Sequence, residues 1–159
     1  MIVEKIIGNI TEHEITGNRV NVSFEWFELE KKRISKTAED GESFGICVQE
    51  PLKDGDILTK KGDTIYVVSL CPEHLIKVHV HTMPEMGRLG FELGNRHLSL
   101  EIGEDYIKIP FDQPTFEYLK KLGFEAKEVN EKFSHFIECK AHGHAHQHHH
   151  GHSHEHSHE

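Results

Sequence analysis

Positive charge is scarce in this sequence, which carries 18 Lys and Arg residues against 27 Asp and Glu residues and has a formal net charge of −9. Nucleic acids and anionic membrane surfaces attract basic proteins, so neither is an expected partner of this acidic chain. Long hydrophobic runs are also missing: no stretch of eighteen apolar residues occurs, and no basic region followed by an apolar stretch opens the chain. This predicts neither a transmembrane helix nor a signal peptide, and we expect a soluble cytoplasmic protein.

Cysteine is sparse, with only Cys47, Cys71 and Cys139 in the chain. An odd and small number of cysteines does not indicate a disulfide framework, and reduced thiols fit the cytoplasm. Cys71 with His74, and Cys139 with His142, have a Cys-x-x-His spacing that suits metal chelation. A single pair of this kind is a weak signal, and an ordinary buried thiol is expected for Cys47.

The motifs of common enzyme classes are absent as well. The sequence contains no P-loop, no His-Glu-x-x-His zinc motif and no recognisable pairing of a nucleophile with a base. These absences favour a protein that is not an enzyme.

Apolar side chains are lacking altogether at the end of the chain. From Ala141 onward there is no Val, Ile, Leu, Met, Phe, Trp or Tyr, while ten of the last eighteen residues are histidine. With nothing to bury, residues 139–159 are expected to form a disordered tail. A purification tag is usually an uninterrupted run, whereas the longest run here is three residues, His148 to His150.

Neutral imidazole is a ligand for Ni, Zn, Cu and Fe rather than for Mg or Ca, so the tail is interpreted as a collector of transition metals. The candidate metal ligands of the tail are His142, His144, His146, His148, His149, His150, His152 and His154.

The first 72 residues have the composition of strands and turns. Segments such as "NRVNVSFEWF", "ESFGICVQ" and "DTIYVVSL" are rich in β-branched and aromatic residues and are separated by turn formers such as Gly17-Asn18 and Asp54-Gly55. "MIVEKIIGNI" has the same character, whereas "EWFELEKKRISK" suggests a short helical or irregular segment. We therefore predict a β-rich N-terminal domain over residues 1–72.

The pattern changes after Cys71-Pro72. "HLIKVHV" alternates as a strand does, and "TMPEMGRLGFELGNRH" then has helical spacing. Thr82 and Glu85 form a capping-box signature, Pro84 suits the first turn, and Gly94 is placed to end the helix. The predicted apolar stripe consists of Met83, Met86, Leu89 or Gly90, and Leu93.

Two strands, a second helix and a last strand follow. "LSLEI" and "YIKIPF" flank a tight "GED" turn, "DQPTFEYLKKLGF" is a helix capped by Asp112 and ended by Gly123, and "EAKEVNEKF" is the last strand. The order β-α-β-β-α-β matches ferredoxin-like folds. We thus predict an α+β protein with an all-β N-terminal domain, a ferredoxin-like domain over residues 73–138 for metal binding and dimerisation, and the tail.

Six histidines lie outside the tail: His13, His74, His79, His81, His97 and His135. The side chains of His79 and His81 share one face of a predicted strand, where two polar residues facing solvent are more common than a chelating pair. His13 is interpreted as a surface residue, and His135 receives no predicted role. His97 is a candidate ligand, because it lies beside the chain reversal predicted after the first helix, where functional residues are common.

The segment "PEMGRLGFELGNRHLSL", with Gly94-Asn95-Arg96-His97 at its centre, resembles the signature of the urease accessory protein E family, the nickel metallochaperones of urease maturation. The resemblance extends over the β-rich first half, the second half and the histidine-rich end. It implies a homodimer built through the second domain, in which His97 of each protomer meets its mate near the two-fold axis. Some members also carry a His-x-His pair before the second helix, where this chain has Phe111-Asp112-Gln113, so that auxiliary site is expected to be absent.

Two functions of different classes follow from these observations. The preferred hypothesis is a chaperone that binds Ni(II), possesses no catalytic activity, and delivers the metal to the urease apoprotein and to the GTPase of its maturation complex, as the resemblance implies. Two His97 imidazoles do not fill the four to six positions common for Ni(II), so water, carboxylates or the tail must supply the rest. Zn(II) and Cu(II) are further metal ions that are expected to bind in vitro. The alternative is a general storage or buffering protein for Zn, Cu, Co or Ni that acts through its tail, and an enzyme with a metal at His97 is the least favoured.

Overall fold

The computed structural model describes residues 1–12 and 16–138. His13 and residues 139–159, which include Cys139 and every candidate ligand of the tail, lie outside the described residues. The described part is an α+β structure, as predicted, with two helices and several sheets. Neither of those helices is long and apolar enough to cross a membrane.

The first half of the chain forms two β-sheets. Its described strands are β1 (Ile2–Val3), β2 (Gly8–Asn9), β3 (Asn18–Phe24), β4 (Arg33–Thr37), β5 (Ser43–Cys47), β6 (Asp56–Lys61) and β7 (Thr64–Leu70). One sheet has the order β1-β5-β4 and the other has the order β2-β6-β7-β3. Fully buried side chains such as Phe24, Phe44, Leu58 and Leu70 form the core beneath them. The predicted all-β character of this half is confirmed.

Two strands of this half differ from the sequence prediction. The segment expected to be helical or irregular contains a 3-10 helix at Trp26–Glu28, but its second part is strand β4. Strand β6 was not predicted, because it begins with a charged residue and two consecutive apolar residues rather than an alternation. Asp56 at its start is buried because its carboxylate accepts hydrogen bonds from the Lys53 backbone N–H at 2.7 Å and from the Asn9 amide at 2.9 Å.

The second half has the predicted β-α-β-β-α-β order. Its elements are β8 (Pro72–His79), α1 (Met83–Asn95), β9 (Glu101–Ile102), β10 (Tyr106–Pro110), α2 (Gln113–Lys121) and β11 (Glu125–Lys132). The strands form one antiparallel sheet in the order β11-β8-β10-β9. Numbered within this half, that order is 4-1-3-2, which is the ferredoxin-like arrangement and confirms the predicted fold class.

The two helices cover one face of this sheet. Leu89 and Leu93 of α1 and Leu119 of α2 are fully buried against strand residues such as Val78 and Ile107. Burial of each such side chain contributes about 1.5–3 kcal/mol. Met83 is an exception to the predicted stripe, because its side chain is 87% exposed and does not belong to the core.

The segment after β11 joins the two halves. Phe133 is fully buried, and the Trp26 ring of the first half packs edge-on against Phe133 and Phe136, with centroids 5.1 and 5.2 Å apart. Further along, Ile137 pairs with Leu100 through two backbone hydrogen bonds of 3.0 and 2.7 Å. The described chain therefore ends against the second half, close to the segment that follows α1.

Candidate metal site

The start of α1 is fixed by capping. The hydroxyl of Thr82 accepts a hydrogen bond from the Glu85 backbone N–H at 3.2 Å, and Pro84 lies in the first turn. The carboxylate of Glu85 does not complete the predicted capping box on Thr82. It accepts instead from the backbone N–H of His81 at 2.6 Å, one residue earlier. The helix start is as predicted, with this change of partner.

The end of α1 differs from the prediction. Gly94 was expected to end the helix, but it lies within α1, which continues to Asn95. The reversal is made by His97, which has a φ of 55° and whose backbone N–H donates to the Gly94 carbonyl at 3.0 Å. A left-handed conformation costs a residue with a side chain about 1–2 kcal/mol, and such outliers cluster at functional sites. The exposed His97 is therefore held in an unusual backbone geometry.

Arg96 attaches this reversal to the second helix. Its Nε atom donates to the Thr115 hydroxyl at 3.1 Å, and its guanidinium lies 4.9 Å from the centroid of the Tyr118 ring. Asp112 caps the same end of α2, accepting from the Thr115 backbone N–H at 3.0 Å. The hydrogen bonds from Thr115, helped by the charge of Arg96, lower the pKa of the Asp112 carboxyl.

His79, the last residue of β8, lies on the face of the sheet away from the helices, as the alternation predicts, since Val78 is buried on the other face. His81 was predicted on the same strand, but it lies beyond the end of β8 and is exposed. A carboxylate faces each of them: Asp105 is 3.7 Å from the Nδ1 atom of His79, and Glu125 is 3.2 Å from the Nε2 atom of His81. The hydrogen bond to His81 lowers the pKa of Glu125. These contacts account for both side chains as surface polar groups.

Cys71 and His74 do not form a pair. His74 lies within β8 and Cys71 just before it, and no contact between the two is found among the described residues. The His74 ring stacks on Phe111 at 4.1 Å between centroids, and its Nε2 atom is 2.9 Å from a carboxylate oxygen of Glu128. These contacts of His74 do not support the Cys-x-x-His interpretation of this pair.

The described residues of one chain do not make a complete metal site. Within residues 1–12 and 16–138, no group of three or more His, Cys, Asp and Glu side chains is arranged to hold an ion. Cys47 is partly exposed rather than buried, and it belongs to no such group. His135 has a φ of 52° and lies in the segment that joins the two halves. A site at His97 with three or more protein ligands therefore needs side chains from outside the described residues of one chain.

The backbone pairing of Ile137 with Leu100 was not predicted, and it has a direct bearing on this question. Leu100 follows His97 by three residues, so Ile137, near the end of the described residues, pairs with the segment that carries the candidate ligand. An extended chain spans at most about 3.3–3.6 Å per residue, so the four residues that follow Glu138, up to His142, can span at most about 14 Å. No local pattern in the sequence indicates this contact, because the two residues are far apart along the chain.

One face of α1 is apolar and exposed. Met83 is 87% exposed and Phe91 is 66% exposed, and a Cβ atom built on Gly87, Gly90 or Gly94 would meet no other atom within 4 Å. Their spacing places these residues on one side of the helix, with His97 just beyond its end. Exposed apolar surface of this kind often marks a protein interface.

Comparisons with known proteins agree on one family. Residues 3–70 match the model "UreE urease accessory protein, N-terminal domain", and residues 73–158 match "UreE urease accessory protein, C-terminal domain".

Individual relatives carry the same name. The chain is 45% identical over 144 residues to the urease accessory protein UreE of Bifidobacterium longum subsp. infantis, covering 89% of this chain and 65% of that protein. It is 33% identical over 147 residues to UreE of Acetivibrio thermocellus, covering 91% of this chain and 96% of that protein. With UreE of Actinobacillus pleuropneumoniae the identity is 30% over 152 residues, covering 90% and 81%. Because both family models match and relatives align over most of their length, the chain belongs to the UreE urease accessory protein family.

Proposed function

We propose that this protein is a nickel-binding metallochaperone that delivers Ni(II) for assembly of the urease metallocentre and has no catalysis of its own. The observation that carries the proposal is that His97 is exposed in a left-handed turn at the end of α1. Ile137, just before the histidine-rich tail, pairs with Leu100, three residues after His97. Family membership supports the same role, since the relatives are named urease accessory proteins. The proposed recipients are the urease apoprotein and the GTPase of its maturation complex, in the cytoplasm.

The proposed working unit is a homodimer that associates through the apolar face of α1. Phe91 and Met83 would be buried against a second copy, and the glycines at 87, 90 and 94 allow two helix backbones to approach closely. In a two-fold dimer the same face contacts itself, and we propose that the axis passes near the C-terminal end of α1, which brings His97 close to its counterpart. We also propose the division at residues 72/73 and 138/139, so that residues 73–138 carry both metal binding and dimerisation.

In this dimer two His97 imidazoles begin a nickel site and tail histidines complete it. Closely spaced imidazoles attached beside the site act at high effective concentration and can release the ion one ligand at a time. Incomplete coordination by the folded part suits a chaperone, which must surrender its ion. The proposed tail ligands are His142, His144, His146, His148, His149, His150, His152 and His154. Zn(II) and Cu(II) are expected to bind the same imidazoles in vitro.

Stoichiometry distinguishes this function from the alternative of metal storage. Isothermal titration of the full chain with Ni(II) is expected to show one tight ion per dimer that depends on His97, followed by weaker ions on the tail. Several equivalent ions that persist when His97 is replaced would support a general Zn, Cu, Co or Ni buffer instead.

Deleting residues 142–159 is expected to lower the number of Ni(II) ions bound while leaving the dimer intact, because the proposed interface lies on α1. Titration and light scattering on the truncated protein measure the two quantities. Monomers after this deletion would show that the interface is misplaced, and an unchanged ion count would remove the tail from the metal-binding account.

Replacing Phe91 with arginine is expected to weaken the dimer by more than about a hundredfold, because an exposed aromatic anchor is replaced by a charge on both sides of the interface. Analytical ultracentrifugation over a range of concentrations measures the dissociation constant. Phe27→Arg is the matched control, because Phe27 is 53% exposed but belongs to the first half of the chain. A dimer that survives Phe91→Arg would exclude this face of α1.

A further inference from the structure

The last turn of α1 is connected to α2 by a continuous set of polar contacts. Arg96 donates to the Thr115 hydroxyl and lies over the Tyr118 ring. The Tyr118 hydroxyl in turn donates to the carboxylate of Glu92, one turn earlier on α1, at 2.8 Å. The hydrogen bond to Glu92 raises the pKa of Tyr118. Glu92 of α1 and Arg96, the residue directly after α1, thus both contact the same aromatic side chain of α2.

The Thr115 hydroxyl, which accepts the hydrogen bond from Arg96, is held in place by a contact of its own. Thr115 is 1% exposed, and its hydroxyl donates to the Asp112 carboxylate at 2.6 Å. Because the single hydroxyl proton is used there, the oxygen lone pairs remain to accept from the Nε atom of Arg96. Asp112 is itself held by capping α2. Arg96 therefore donates to a buried hydroxyl whose orientation is determined by its hydrogen bond to Asp112.

The contacts with Thr115 and Tyr118 hold Arg96, which is the residue directly before His97. A residue in a sparsely populated backbone region persists there only when the surrounding structure over-determines it. The hydrogen bond from the His97 N–H to Gly94 constrains the reversal from within α1, and Arg96 constrains it from α2. We infer that Arg96 is a positioning residue for metal binding: by fixing the turn on α2 it presets the position from which the His97 imidazole meets the metal. This inference rests on the proposed function of His97.

Lysine cannot reproduce this arrangement. It carries the same charge but lacks both the Nε donor and the planar group that stacks on an aromatic ring. Arg96→Lys therefore separates geometry from electrostatics, since the positive charge near the proposed nickel site is retained. Arg88→Lys is the matched control, because Arg88 also projects from α1 onto an aromatic ring, that of Phe124 at 5.7 Å, but lies more than two turns from His97.

The test uses the full-length dimer and Ni(II) alone. Arg96→Lys is expected to weaken the tight site by about tenfold, within the range for loss of an outer-shell partner. X-ray absorption at the nickel edge is expected to show fewer imidazoles per ion at one ion per dimer. Arg88→Lys should change neither readout, and light scattering and thermal unfolding should match the parent for both variants.

Thr115 provides an independent arm. Thr115→Val removes the acceptor of Arg96 at nearly constant volume and is expected to weaken nickel binding as Arg96→Lys does. Thr115→Ser keeps the hydroxyl and is expected to bind nickel as the parent does.

Full nickel affinity and an unchanged absorption spectrum in Arg96→Lys would overturn the inference, as would equal losses in Arg96→Lys and Arg88→Lys. His97→Ala is measured alongside: if it keeps the tight site, the proposed function fails, whereas loss there with no effect of Arg96→Lys overturns only the role of Arg96.

Discussion

Replacing His97 with alanine is expected to remove the tightest nickel site while the fold and the dimer persist. The side chain is exposed, so truncation opens no cavity in the core, and substitutions of this kind usually change stability by less than about 0.5 kcal/mol. Two ligands are lost per dimer at once. We expect the affinity for the first Ni(II) ion to fall by more than about a hundredfold, the upper limit for losing a group that merely supports a ligand.

The left-handed backbone of His97 allows a sharper control. Glycine adopts a φ of 55° without steric cost, so His97→Gly is expected to be at least as stable as the parent and yet equally defective in nickel binding. Thermal unfolding and isothermal titration on both variants separate loss of the imidazole from any change in the turn. Survival of the tight site in either variant would contradict the central assignment.

Nickel affinity is expected to fall steeply on acidification, because an imidazole must be neutral to donate its lone pair. An ordinary histidine has a pKa of about 6.5, so below that value each ligand has to release a proton before it binds. The sign is therefore fixed: affinity rises with pH up to about this value and levels off above it. Each histidine contributes about 1.4 kcal/mol per pH unit in the acid limit.

The slope of log affinity against pH counts the histidines in the tight site. Two His97 residues alone give a limiting slope of about two, whereas participation of tail residues such as His142 or His144 raises it towards three or four. Deleting residues 142–159 should then bring the slope back to about two. Isothermal titration from about pH 5 to 8 on both proteins, corrected for buffer ionisation, decides the matter. Identical slopes would mean that the tail collects nickel without completing the tight site.

The second half of the fold could be predicted because its signals are local. Thr82 and Asp112 cap the two helices by accepting from backbone N–H groups three residues later, and Gly123 ends α2 with a φ of 87°. Strand β8 alternates over its second half, where Ile76 and Val78 are buried while Lys77 and His79 are partly exposed. Strand β4 was assigned wrongly and strand β6 was missed, because neither sequence alternates between apolar and polar residues. Each becomes a strand by pairing with the next strand along the chain, β4 with β5 and β6 with β7.

The candidate site was predictable only in part. The resemblance around "GNRH" identified His97, but the expected stop at Gly94 was wrong, since His97 itself takes the left-handed position. The pairing of Ile137 with Leu100 and the contact of Arg96 with Thr115 join residues far apart along the chain. Such contacts depend on the tertiary arrangement of the sheet and helices, and no short-range pattern encodes them.

The most direct measurement is the position of nickel in a crystal of the full-length protein grown with one Ni(II) ion per two chains. An anomalous difference map at the nickel edge is predicted to show a single strong peak between the two His97 imidazoles of a dimer joined through α1, with further imidazole density from the tail. A peak away from His97, with both His97 side chains uncoordinated, would contradict the account.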